Sequence, residues 1–211
     1  MGESQFITFF IVITVLTLAP GADTVMVARN SLRGGFRDGA VTSLGICSGL
    51  FVHATVSAGG LSLILLGSAR LFGAVKLLGS AYLIWLGLMG AHHALRGLAV
   101  GGDLGASGSA FFPLRSLREG FLSNVLNPKA IVFHMAFLPQ FIDPAGNPVF
   151  QAQALAGVHF IIAMIWQCLL AAMVDRAGLL LASSGVRRVM DGLTASVLLA
   201  LGVKLALSDA R

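Results

Sequence analysis

Six apolar runs set the limits on what this chain can become. They are Phe6–Ala28, Gly39–Leu66, Leu77–Leu95, Gly120–Ile142, Ala154–Val174 and Val189–Leu207, each roughly 19 to 28 residues long. About 20 apolar residues suffice for a helix to cross the hydrocarbon of a bilayer. In lipid, a spanning segment must satisfy its own backbone groups, which selects helices here. The expected fold is therefore an all-α integral membrane protein with six transmembrane helices. Composition agrees: 56% of the residues are hydrophobic, 11% are charged, and mean hydropathy is +0.89. A formal charge of +5 would suggest nucleic acid as a partner for a soluble protein. Here the basic residues lie between apolar runs, so they report topology and lipid contact, with no nucleic acid expected.

The connectors divide these residues unevenly. Arg29, Arg33, Arg37, Arg96, Arg115, Arg118, Arg176, Arg187 and Arg188 fall on one side, and Arg70, Lys76, Lys204 and Arg211 on the other. The richer side belongs in the cytoplasm, so both termini are expected outside. Met1–Gln5 carries no Lys or Arg, which reads as a retained first helix and not a signal peptide. Residues 97–118, rich in Gly and Ser, read as a cytoplasmic linker between a first half over 1–96 and a second over 119–211. Three spans in each half enter the membrane in opposite senses, the arrangement of a 3+3 inverted-repeat transporter.

Two of the apolar runs are interrupted by polar residues. In the fourth, Asn124-Val-Leu-Asn-Pro-Lys129 sets two asparagines, a proline and a lysine among apolar neighbours. Pro128 lacks an N–H, so the carbonyl of Asn124 loses its helical donor and must find another. In the first run, Pro20 and Gly21 break the helix, and Asp23 follows as either an N-cap or a buried ligand. An ionisable residue within a span is costly, which marks Asp23 and Lys129 as candidate site residues. Counted from the inner surface at 1.5 Å per residue, Asp23 lies about 7 Å deep and Lys129 about 13 Å deep. A lysine stem spans that difference, so a direct Asp23–Lys129 pair is expected in the empty site.

Other residues are less specific. Gly45, Gly49, His53 and Ser57 recur every four residues and share one helix face, with the two glycines suited to close helix packing. His53 is then a core histidine or a proton relay. His92 and His93 read as interfacial, and Cys47 and Cys168 read as small core residues without metal-ligand spacing.

These motifs together resemble the LysE-type amino acid exporter family, close to its RhtB (homoserine/threonine efflux) branch. The fourth run matches the family's Gly-Phe-x-x-Asn-x-x-Asn-Pro-Lys through Gly120, Phe121, Asn124, Asn127, Pro128 and Lys129, and Leu138-Pro139-Gln140-Phe141 matches as well. Lys76, Gly79, Tyr82, Leu83 and Gly87 resemble the third-helix pattern, and Gly45, Gly49 and His53 the second. The first helix departs from the family's Pro-Gly-Pro, because Ala22 stands at the second proline, while Asp23 keeps the polar position. The resemblance implies a secondary exporter of amino acids or small derivatives, not an enzyme. It would lie across the bacterial inner membrane as a multi-pass protein, driven by proton antiport, with no cofactor. A homo-oligomer is compatible with it.

The broken helices suit such a cargo. Freed carbonyls attract an ammonium group and freed N–H groups a carboxylate, and a zwitterion needs both. The expected substrate residues are Asp23, Asn124, Asn127 and Lys129; the expected breaks are Pro20, Gly21 and Pro128; Asp23 and His53 are the candidates for proton coupling. Two alternatives are a transmembrane thiol–disulfide electron carrier using Cys47 and Cys168, and a metal-ion exporter. Neither has an electropositive thiol setting or clustered ligands in its favour.

Overall fold

The computed structural model describes residues 3–19, 21–67, 111–143 and 145–177 continuously, with scattered residues between 77 and 95 and between 192 and 207. Pro20, Arg96 and residues 97–110 of the expected linker lie outside the described residues. All regular structure among the described residues is helical.

Helix α1 runs over Glu3–Leu18. Phe9, Val12, Ile13 and Leu16 form its buried face at helical spacing, while Phe6, Ile7, Phe10 and Ile11 are exposed. A helix apolar on both faces in this way has lipid as its outer solvent.

A continuous run of helical hydrogen bonding, Ala22–Gly67, is two helices, α2 (22–33) and α3 (36–67). Gly34 and Gly35 between them are non-helical, and Gly35 has φ 74° and ψ −168°, a conformation essentially restricted to glycine. The chain reverses there. Asn30 Nδ2 donates to Thr42 Oγ1 at 2.9 Å. In a straight helix, residues twelve apart would be separated by about 18 Å. The basic connector is therefore a tight helical hairpin. A Cβ added at Gly34 would sit 2.6 Å from Asp38 Oδ2, and one at Gly39 would sit 2.0 Å from Ser31 Oγ.

Helix α4 (Pro113–Val125) starts inside the stretch read as linker, so its first turns carry Arg115 and Arg118 on helix and not on coil. Helix α5 (Pro128–Phe137) follows after a bend of 52° and continues into a 3₁₀ turn, Leu138–Phe141. Helix α6 spans Pro148–Ala177. By length and composition, a stretch within the run Ala22–Gly60, which holds the hairpin, and Pro148–Arg176 are apolar enough to cross a membrane, and the bent α4–α5 pair makes a third such segment. This is the helical membrane architecture expected.

The stripe Gly45–Gly49–His53–Ser57 on α3 is the seam to the broken helix. Cβ atoms added at Gly45 and Gly120 would each approach a backbone oxygen of the other helix to 2.1 Å, Leu117 O and Thr42 O respectively. The two glycines thus admit a backbone-to-backbone crossing that no side chain could tolerate. Beyond the break, the aromatic rings of Phe133, Phe137 and Phe141 stack successively, and Phe141 meets Phe9 of α1 edge-on at 5.2 Å. This cluster binds α1, α5 and α6 above the cavity described below.

At the hairpin end, Arg33 donates to both oxygens of Asp38 at 2.8 and 2.9 Å and to Glu119 at 2.9 Å. Asn30 and Arg115 also donate to Glu119, and Ser116 accepts from Arg33 and places its single hydroxyl proton within reach of Asp38 and the Phe112 carbonyl. Asp38 is fully buried. The connector arginine is thus a structural ion-pair partner as well as a topological charge.

Two tests follow from the packing. Gly45→Ala and Gly120→Ala should each destabilise the protein by about 1–3 kcal/mol, the usual cost of overpacking. Gly59→Ala and Gly157→Ala, where an added Cβ meets nothing within 4 Å, should leave the thermal midpoint in detergent unchanged. Arg33→Ala should cost more, about 3–5 kcal/mol, because it leaves the Asp38 carboxylate buried without its cation.

Candidate functional site

Two helix breaks face each other across the molecule. At the first, α1 ends at Leu18 and α2 begins at Ala22, which puts Gly21 and Asp23 at the start of a helix. At the second, α4 ends at Val125 and Asn127 caps α5, its side chain accepting from the Lys129 N–H at 3.0 Å. Pro128 opens α5 where its missing N–H is harmless.

The breaks are bonded reciprocally. Asp23 at the first break accepts from Asn124 Nδ2 at 2.9 Å and Ser123 Oγ at 3.2 Å, both at the end of α4. Lys129 at the second break donates from Nζ to the carbonyl of Ala19 at 3.1 Å, at the end of α1. Each break therefore sends one charged side chain to the other. The direct Asp23–Lys129 pair expected from the depth estimate is not formed. Each charge instead takes neutral partners that the facing break supplies, because helix ends offer carbonyls and polar side chains that need bonds of their own. Asp23 is likewise not an N-cap, since its carboxylate is bonded across to α4.

The Asn124 carbonyl freed by Pro128 has two donors: the Asn127 N–H at 2.9 Å and His53 Nε2 at 3.0 Å. That contact fixes His53 as the protonated-Nε2 tautomer in its neutral form. Ser57, one turn further along α3, donates to the His134 carbonyl. The α3 stripe thus repairs the backbone on both sides of the bend.

Asp23, Gly21, Asn124, Asn127 and Lys129 line one cavity of about 60 Å³. Its wall also includes Thr17, His134, His159, Ala163 and Gln167, which sequence reasoning did not select. His53 is not in that wall; it lies behind Asn124 and stacks on His134, ring centroids 5.2 Å apart. His134 stacks in turn on His159 at 5.5 Å. Three buried imidazoles from α3, α5 and α6 form a column. Their near-parallel faces do not converge on a point, and no set of three or more metal-binding side chains occurs among the described residues. The only sequence signal for His159 and Gln167 was their place on one face of the fifth run, eight residues apart.

Comparison with known proteins supplies the family. The LysE type translocator family profile matches residues 14–209. The chain belongs to the LysE type translocator family. A membrane protein of Bacillus subtilis, YrhP, is 31% identical over 208 residues, covering 97% of this chain and 99% of that protein. The homoserine/homoserine lactone efflux protein of Salmonella typhi is 30% identical over 166 residues, 78% of each chain. The leucine efflux protein of Klebsiella pneumoniae is 28% identical over 142 residues, 67% of this chain and 65% of that one. No solved structure matches. The thiol–disulfide and metal-export alternatives gain no support from these relatives; Cys47 and Cys168 are both free thiols, and Cys47 is buried.

The repair of the Asn124 carbonyl can be tested directly. His53→Ala removes one of its two donors and should cost about 1 kcal/mol, the net value of a typical hydrogen bond. His53→Gln retains an N–H donor and should recover most of the thermal midpoint.

Proposed function

We propose that this translocator exports amino acids or small amino acid derivatives across the bacterial inner membrane, with the cavity between the two breaks as the substrate site. The observation that carries this reading is the reciprocal bonding itself. Lys129 and Asp23 line the same cavity with opposite charge and without an ion pair between them. A zwitterion can exchange into that arrangement: its carboxylate takes Lys129 Nζ, and its ammonium takes Asp23 together with the Ala19 carbonyl that Lys129 releases. In the exchange each charge trades a neutral partner for an ion of opposite sign, which adds Coulombic attraction to the hydrogen bond and favours the exchange. Asn124 and Asn127 hold the two charges in position. The efflux names carried by the relatives from Salmonella typhi and Klebsiella pneumoniae support the direction and the substrate class.

In this reading the chain has six spans in a 3+3 inverted repeat with both termini outside. Lys129 and Asp23 then occupy corresponding positions of the two halves. Export is coupled to protons that enter by way of Asp23 and His53. Histidine is suited to this because its ordinary pKa lies within the working range. Reporter fusions after Arg37, Arg118 and Arg188 should all report cytoplasm; a periplasmic signal at any of them contradicts the topology.

The decisive measurement is a double-mutant cycle of Asp23→Asn and Lys129→Gln on export of a labelled amino acid panel. Each single change should lower export roughly ten- to hundredfold, the equivalent of one charged hydrogen bond. The double change should restore protein level at least partly, because no lone charge stays buried, yet leave export low. Normal export by Lys129→Gln, or purely additive effects, overturns the shared site. A protonophore should abolish accumulation, and His53→Gln should flatten its pH dependence; if it does not, His53 serves only the Asn124 carbonyl.

A further inference from the structure

On the cavity wall, apart from Asn124, three polar atoms lack a partner in the protein. They are Thr17 Oγ1, His159 Nδ1 and Gln167 Oε1, each buried and each on a residue of the cavity wall. His159 and Gln167 are only 6% and 7% exposed. Buried polar groups are nearly always hydrogen-bonded, and an exception calls for an explanation.

Thr17 is unusual for its type here. Thr8, Thr14, Thr42 and Thr55 all donate back to the carbonyl four residues earlier, as helical threonines commonly do. Thr17 makes no such bond. On α6, His159, Ala163 and Gln167 follow each other at spacings of four, all buried on the face turned toward the cavity. Ala163 leaves a recess between two polar side chains that a larger residue would fill. Asn124 Oδ1 also lacks a hydrogen bond, but it packs against Gly49 of α3, so it belongs to the helix seam.

We propose that Thr17, His159 and Gln167 form a subsite for the substrate's side chain, selective for amino acids whose side chain carries a hydrogen-bonding group, a hydroxyl or an amide. The proposal rests on the cavity being the substrate site. Asp23 and Lys129 hold the groups common to all amino acids, and these three residues read the part that differs. A site built to bond a polar group rejects an analogue that lacks it strongly, because its own buried atoms are then left unpaired. An aliphatic side chain leaves all three in that condition.

The test uses the full-length protein in liposomes and two isosteric pairs, serine against 2-aminobutyrate and asparagine against leucine. The polar member of each pair should be carried with a kcat/KM at least about tenfold higher. Thr17→Val, which removes the hydroxyl at nearly constant volume, and Gln167→Met should each lower that ratio severalfold, by slowing the polar member more than the aliphatic one. Equal transport of both members by the unaltered protein overturns the subsite, as does a ratio that neither substitution moves. Equal transport of both members by the unaltered protein, together with a roughly ten- to hundredfold fall for both in Lys129→Gln, overturns the subsite alone and leaves the cavity as the substrate site. If the unaltered protein carries none of the four amino acids, the cavity reading fails and the subsite falls with it.

Discussion

Everything near the centre of this molecule depends on the exchange of one charge in each direction between two helix breaks. A break exposes backbone groups that lipid cannot satisfy. A charge in the same place is equally costly alone. Here the two costs are set against each other. The Ala19 carbonyl at the end of α1 receives the Lys129 ammonium, and the amide and hydroxyl at the end of α4 bond the Asp23 carboxylate. Each break supplies partners for the other's charge, which fixes how α1 and α2 meet α4 and α5 at this point.

The approach is possible because α3 brings no side chains where they would intrude. Gly45 and Gly120 let two backbones cross at a distance that a methyl group would forbid, and Gly49 makes room for the Asn124 amide that reaches Asp23. One turn on, where the proline has opened the helix, the same stripe changes from glycine to His53 and Ser57 and supplies hydrogen bonds instead. A single helix face therefore does two things in order along its length. It permits contact where α4 is intact and repairs the backbone where α4 has ended.

Much of this was legible in the sequence. The apolar runs and the two proline breaks announced the membrane class and the polar centre, and spacings of four marked the α3 stripe before any partner was known. The partners were not legible. Depth arithmetic placed Asp23 and Lys129 near each other and suggested a direct pair, because it treats charges as points and ignores the helix ends that compete for them. Arg33 was read for its charge alone. Its carboxylate partners, Asp38 and Glu119, lie 5 and 86 residues along the chain from it, and the tight turn at Gly34-Gly35 that brings Asp38 back to it has the same composition as a flexible connector. The polar residues of α6 were hidden for a related reason: one histidine and one glutamine in an apolar run look like exceptions until their common face is seen to line a cavity.

Among the described residues, the charged cluster at the hairpin and the charges at the cavity are built on different rules, and the difference separates scaffold from proposed site. At the hairpin, Arg33, Arg115, Asp38 and Glu119 pair cation to anion with short, partly bidentate bonds, and Asn30, Thr42 and Ser116 take up what remains. Such a network gains most from its geometry when nothing is exchanged, and removing one member strands another. At the cavity, the same economy is withheld. Asp23 and Lys129 are within one wall, yet each is bonded to neutral groups. A neutral partner holds a charge less firmly than an ion of opposite sign, so these two charges retain the capacity to rebind. A closed ion pair would have stabilised the empty protein at the expense of any ligand that had to break it. Leaving the pair open keeps the cavity less satisfied than a closed ion pair would, which is what the proposed site needs if a zwitterion is to bring both countercharges.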